Sequence, residues 1–154
     1  MIKVLFVCLG NICRSPMAEY VFKDLIEKDD CNINFLIDSA ATSNEEVGDG
    51  IHFGTRRKLE EEGIPYGNHR ARKIKSEDYE KYDYIIGMEE SNIRNILRIV
   101  GEDPEKKIYR LLDFSEIPRD IADPWYTGNF DKTYDDVVEG CKDLLEYLKS
   151  TIMH

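Results

Sequence analysis

What the chain lacks narrows its function first. No apolar run approaches the ~20 residues that a membrane-spanning helix needs; the run that opens the chain stops at Gly10-Asn11. Positive charge is scarce: 21 Lys and Arg stand against 31 Asp and Glu, for a formal net charge of -10. A field of that sign attracts neither nucleic acid nor anionic lipid, so neither nucleic acid nor a membrane is expected as a partner. The one local basic stretch is "HRARKIK" at 69–75. Cysteine is limited to Cys8, Cys13, Cys31 and Cys141. No second cysteine pair at ligand spacing follows Cys8 and Cys13, which weakens a zinc reading. The opening "MIKVLFVCL" imitates a secretion signal, but no small-residue cleavage site follows it. Phe6-Val7 are too bulky for a lipoprotein site ending at Cys8. A cytoplasmic chain with reduced thiols is therefore expected. Internal repeats, low-complexity tracts and linkers are absent too, which leaves no boundary at which to divide the chain.

What is present is an alternating pattern in 154 residues, 42% hydrophobic and 34% charged, expected to form one domain over 1–154. "IKVLFV" (2–7) reads as a buried strand by its continuous apolar character. Ser15 is expected to cap a helix with Pro16 at its first position. Met17, Ala18, Val21, Phe22, Leu25 and Ile26 follow at helical spacing. "NINFLID" (32–38) reads as the second strand, and 52–62 as a polar helix closed by Gly63. "SEDYEKY" (76–82) reads as a short helix and "DYIIGM" (83–88) as the third strand. Ser91 to Val100 reads as an amphipathic helix, and "KIYRLL" (107–112) as the fourth strand. A long loop from 113 to about 130 precedes a last helix that ends near Ile152, with Val137, Val138, Cys141, Leu144, Leu145 and Leu148 on its apolar face. This alternation predicts an α/β fold: a four-stranded parallel sheet in a three-layer domain, helices on both faces. Ligands of such folds sit beyond the carboxyl ends of the strands, at the point where strand order reverses. Cys8 and the loop at 113–130 both fall at that edge, and a loop of that length in a compact domain is usually functional.

"VCLGNICRSP" (7–16) carries the chemistry. A thiolate is the nucleophilic form of cysteine. Cys8 lies between a strand end and a helix start, where the helix dipole, Arg14 and the Ser15 hydroxyl all favour the anion. The backbone N–H groups from Leu9 to Arg14 can curl into an anion-binding nest. Gly10 and Asn11 are residue types that tolerate the left-handed conformations a nest needs. Phosphate is the expected anion, held by Leu9, Gly10, Asn11, Ile12, Cys13 and Ser15, with the forked guanidinium of Arg14 on its oxygens. Sulfur then sits in line with phosphorus.

"VCLGNICRSPMAE" resembles the signature of the low-molecular-weight protein tyrosine phosphatases. The likeness extends over "DSAATS" (38–43), "HRAR" (69–72), "MEESN" (88–92) and "DPWYTGN" (123–129). From pattern alone Asp123 reads either as a turn residue before Pro124 or as a proton donor; the resemblance implies that it is the general acid. Trp125 and Tyr126 are suited to flank a phosphotyrosine ring, with Leu9 and Ile12 opposite. The resemblance further implies that Ser39 and His69 join Asn11 and Ser15 in a network supporting the phosphate loop, and that Glu89 lies near Arg14, where many relatives carry Asp. It implies a reversible Cys8–Cys13 disulfide. Cys31 and Cys141 are expected to be core thiols, and His52 and His154 to be solvated. The acidic "NEEVGDG" (44–50) occupies a rim where relatives often carry an aromatic residue near Glu45, and should disfavour acidic peptides.

The resemblance implies hydrolysis of phosphotyrosine in proteins or peptides through a cysteinyl-phosphate, without metal or other cofactor. Inorganic phosphate and other oxyanions are the expected inhibitors. Three alternatives stand beside it. An arsenate reductase on this fold passes electrons through further cysteines after the third strand, and "GMEESNIRN" has none. A phosphoarginine phosphatase tends to carry Thr where Ile12 stands. A non-enzymatic phosphate-binding or phosphocarrier module needs no general acid, against the Asp123 motif.

Overall fold

The computed structural model describes residues 1–152. Four strands form one parallel sheet: β1 (Ile2–Cys8), β2 (Phe35–Ala41), β3 (Tyr84–Gly87) and β4 (Ile108–Arg110), in the order β2-β1-β3-β4. β1 is central, and Val4 to Val7 are fully buried because both faces of the strand are covered. Its alternate residues serve different layers. Val4 and Phe6 pack with Met17 and Phe22 of α1 (Arg14–Lys28) and with Val137, Leu144 and Leu148 of α6 (Phe130–Ile152). Leu5 and Val7 pack on the opposite face with Tyr79 of α3 (Asp78–Lys81) and Ile96 of α4 (Glu90–Val100). Helices thus cover both faces, as the alternating pattern predicts. From β1 the chain crosses to β2 on one side, while β3 pairs on the other. The loop leaving β1 therefore opens at the reversal point of the sheet.

Several boundaries differ from the sequence reading, each for a local reason. β2 starts at Phe35, where pairing with Ile2 begins, and runs through the small residues Ser39-Ala40-Ala41 beside Phe6 to Cys8. β4 is short because Leu111–Phe114 winds into a 3-10 turn, with the Asp113 carboxylate accepting from the Arg110 N–H at 2.8 Å. The loop at 113–130 carries a further helical turn, α5 (Pro124–Thr127). Gly128 takes the left-handed backbone (φ 71) that ends α5 just before α6 begins. Helix α1 begins at Arg14 after Cys13, and Ser15 does not cap it. The Ser15 hydroxyl is spent on the loop itself. Cys141 is a fully buried core thiol, whose pKa burial drives far up. Cys31 is only half-buried, on the polar stretch before β2 where no core layer covers it. No helix among the described residues is long and apolar enough to cross a membrane. His154 lies outside the described residues.

Candidate active site

The loop from Cys8 to Arg14 is held open by its own polar side chains. Asn11 takes a left-handed φ of 59, which turns its backbone N–H back onto Cys8 Sγ at 3.3 Å. The Ser15 hydroxyl lies 3.0 Å from the same sulfur, and the Asn11 side-chain amide donates to Ser15 Oγ at 2.8 Å. Gly10, expected to share the left-handed role, does not adopt it. Its lack of a side chain serves close packing instead: a Cβ there would stand 3.3 Å from Glu46 Cγ. Among the described residues, the backbone N–H groups of Gly10, Ile12 and Cys13 meet no protein acceptor. They are donors free for an anion.

Arg14 is 2% exposed at its side chain, yet three acceptors fix its guanidinium. The Glu89 carboxylate takes one nitrogen, which also donates to the Ile121 carbonyl at 2.8 Å; the other nitrogen donates to Asp123 Oδ2 at 3.2 Å. Glu89 is itself steadied by the Ser91 hydroxyl at 2.6 Å. The longer Glu arm therefore reaches Arg14, as the family likeness implies. Asp123 has two contacts: Oδ2 on Arg14, and Oδ1 accepting the Trp125 N–H at 3.0 Å as the N-cap of α5. The capping contact matches the turn reading, and the Arg14 contact places the same carboxylate beside the phosphate loop.

Behind the loop lies a second layer. His69 Nε2 lies 2.8 Å from the Asn11 carbonyl, an acceptor only, so that nitrogen carries the proton. The other ring nitrogen stands 4.0 Å from the Glu19 carboxylate. Ser39 touches neither Asn11 nor Ser15; its hydroxyl donates to Glu19 at 2.6 Å. Glu19 thus joins Ser39 to His69, and the sequence reading passed it over. A signal existed: Glu19 falls one turn after Ser15 on the apolar side of α1, and a charge there asks for partners.

A cavity of about 110 Å³ opens over this loop. Cys8, Cys13 and Arg14 form its floor, with Asp123 beside them. Leu9 and Ile12 line one part of the wall, Trp125 and Tyr126 another, and Ser43, Glu45 and Glu46 the rim. Trp125 and Tyr126 are 57% and 78% exposed, so neither belongs to the core. The rim is electronegative: Asp49 and Glu45 push the Glu46 carboxyl above its usual range, the Asp49 hydrogen bond contributing most. Cys13 packs with Ile12 and Ala71. Burial first, and then the neighbouring Cys8, push its thiol up to about 12. Cys13 is thus held as a neutral thiol at ordinary pH. His52, expected in solvent, is instead half-buried among aromatic rings. That burial, with Arg56 nearby, lowers its pKa. Among the described residues no cluster of His, Cys, Asp and Glu could hold a metal ion.

Residues 3–153 match the family described as low molecular weight phosphotyrosine protein phosphatase. The chain belongs to that family. It is 42% identical over 147 residues to the low molecular weight protein-tyrosine-phosphatase YfkJ of Bacillus subtilis, a match covering 94% of each chain. The crystal structure of YfkJ superposes with a TM-score of 0.93 at 40% identity, over 98% of this chain and 96% of that one. SP-PTP, the low molecular weight protein tyrosine phosphatase of Streptococcus pyogenes, gives 0.86 at 40% identity over 100% and 99%. An arginine phosphatase from Drosophila gives 0.88 at 31% identity over 96% and 98%. The family fold is therefore shared by enzymes with different named activities, and pocket chemistry has to separate them.

Proposed function

We propose that the whole chain, residues 1–154, acts as one protein tyrosine phosphatase domain. It hydrolyses phosphotyrosine in proteins and peptides through a cysteinyl-phosphate, without a metal. The observation that carries this reading is the convergence of Cys8, the free loop N–H groups, Arg14 and Asp123 on one cavity.

A phosphoryl group entering the loop takes its equatorial oxygens to the N–H donors and to Arg14, displacing Asp123 from that guanidinium. Cys8 attacks as the thiolate, in line with the leaving phenolic oxygen, and the S–P bond forms as the P–O bond breaks. The fixed donors are worth most in the transition state, where negative charge on the oxygens is greatest. Protonated Asp123 donates to the departing phenolate; its carboxylate then takes a proton from the water that releases phosphate. The rate therefore needs Cys8 as the thiolate and Asp123 in its protonated form at once. Leu9, Ile12, Trp125 and Tyr126 grip the ring of the substrate. Phosphate and other oxyanions compete for the loop. The acidic rim disfavours acidic flanking residues, and the work is done in the cytoplasm. Cys13 closes a reversible disulfide on oxidised Cys8. Apolar Ile12 at the cavity wall favours an aryl ester over a guanidino phosphate.

The test is release of p-nitrophenol from p-nitrophenyl phosphate in EDTA by wild type beside Cys8→Ser. Turnover by wild type alone supports the reading. No turnover by folded, reduced wild type overturns it.

A further inference from the structure

His52 links two parts of the cavity that the chemistry above treats separately. It stands just before α2 (Phe53–Glu61) and caps it, with Nδ1 accepting from the Gly54 N–H at 3.1 Å. That bond requires an unprotonated Nδ1. On the loop side, the His52 backbone N–H donates to the Ile12 carbonyl at 2.9 Å, and the Thr55 hydroxyl donates to the Cys13 carbonyl at 3.2 Å. The start of α2 therefore braces the phosphate loop from outside. On the wall side the imidazole is layered between two rings: Phe53 at 4.6 Å and Phe130 at 5.5 Å, the latter within 10° of parallel. The edge-on neighbour is Trp125, with ring centroids 5.5 Å apart and planes at 71°. Gly54 makes room for this stack, since a Cβ there would fall 2.3 to 2.7 Å from the Phe130 ring.

Trp125 itself is weakly held. It is more than half exposed, it sits in a single helical turn, and its pairing with His52 is the one aromatic pairing it makes among the described residues. A wall residue free to wander has to be ordered each time substrate binds, and that ordering reduces affinity. We propose that His52 is a positioning residue for substrate: its ring fixes Trp125 against the cavity and so pre-forms the aryl-binding wall. The inference rests on the phosphatase reading for its kinetic arm only. The His52 ring meets the indole ring of Trp125, whereas the Asp123 carboxylate bonds Trp125 only at its backbone N–H, so the ring of His52 bears on binding more than on proton transfer.

Two substitutions separate the two jobs of the side chain. Asn at this position keeps the capping acceptor and removes the ring; Phe keeps a ring and removes the acceptor. Both keep the backbone bond to Ile12. Trp125 is the only tryptophan in the chain, so its fluorescence anisotropy reports directly on the wall. In His52→Asn, KM for p-nitrophenyl phosphate rises about threefold or more, the range expected for losing one aromatic pair. In the same variant kcat moves less, inhibition by inorganic phosphate is unchanged, and Trp125 anisotropy falls. In His52→Phe, KM and anisotropy return towards wild type even if the melting temperature drops. His52→Leu serves as a second ring-free variant should His52→Asn fail to fold. An unchanged KM and anisotropy in a folded ring-free variant would overturn the proposal. So would a parallel rise in KM and in the phosphate inhibition constant, because His52 would then act through the phosphate loop. A wild type without turnover would defeat the phosphatase reading, and the anisotropy arm would still decide the His52–Trp125 contact.

Discussion

Replacing Asp123 with Asn separates proton donation from structure, because the two oxygens of this carboxylate do different things. Oδ1 caps α5 through the Trp125 N–H at 3.0 Å, a bond that an Asn side-chain oxygen can still accept. Losing a cap altogether costs about 1 kcal/mol, and the change from Asp to Asn costs much less. Oδ2 pairs with Arg14 at 3.2 Å, but Arg14 retains Glu89 and the Ile121 carbonyl, so no guanidinium is left buried and unpartnered. The fold should therefore lose under ~1 kcal/mol, visible as a small change in the urea midpoint. The rate responds differently. General acid catalysis contributes about 10²- to 10⁴-fold, or roughly 3 to 5 kcal/mol of barrier. That full loss is expected in kcat/KM for phenyl phosphate, whose leaving group needs the proton, because kcat/KM covers the steps through formation of the cysteinyl-phosphate and excludes the hydrolysis common to both esters. A far smaller loss is expected for p-nitrophenyl phosphate, whose leaving group departs well without it. The assay is kcat/KM for the two esters side by side, with the urea midpoint as control. Equal losses on both esters, with the fold intact, would refute the assignment of Asp123 as proton donor.

Two further outcomes concern Glu139 and Cys13. Arg119 and the Ser115 hydroxyl hold the Glu139 carboxyl down to about 2, from an ordinary 4.5. A depressed carboxylate stabilises the fold above its unfolded pKa, and the gain disappears as pH falls through the folded value. Glu139→Gln should thus be less stable than wild type at neutral pH, and the gap should close between about pH 4.5 and about 2. Glu139 is 41% exposed at its side chain, so screening limits the gap to under ~1 kcal/mol; urea titrations at several pH values read it. For Cys13, peroxide inactivation should be reversed by dithiothreitol in wild type and much less completely in Cys13→Ser, measured as recovered p-nitrophenyl phosphate turnover. Equal recovery would remove Cys13 from any protective role.

The legible part of this molecule was written in residue types with strong local preferences. The apolar run at 2–7 could only be a doubly covered strand, and the Cys8-to-Arg14 loop announced itself by Gly, Asn, Ser and Pro after that run. Alternation with helices then fixed the sheet edge at which Cys8 emerges. What stayed hidden depends on contacts between distant segments. Ser39 and His69 meet through Glu19 rather than directly, a link that needs β2, α1 and the segment after α2 in place together. His52 looks like a surface histidine in "GIHFG" because its partners, Trp125 and Phe130, lie more than seventy residues away. Ser15 reads as a cap, but the helix begins at Arg14 with Cys13 at the cap position, which leaves the Ser15 hydroxyl 3.0 Å from Cys8 Sγ. β4 ran short because the Asp113 side chain offers the chain a turn where apolar character suggested more strand.

The central claim is that Cys8 carries the phosphoryl group during turnover. Rapid acid quench of wild type mixed with p-nitrophenyl phosphate, followed by mass spectrometry of the peptide containing Cys8, tests it directly. The account predicts one added phosphoryl group on Cys8 in the quenched enzyme, absent once substrate is exhausted and absent from Cys8→Ser. Turnover with no phosphoryl group on Cys8 at any quench time, or with the group on another residue, would contradict it.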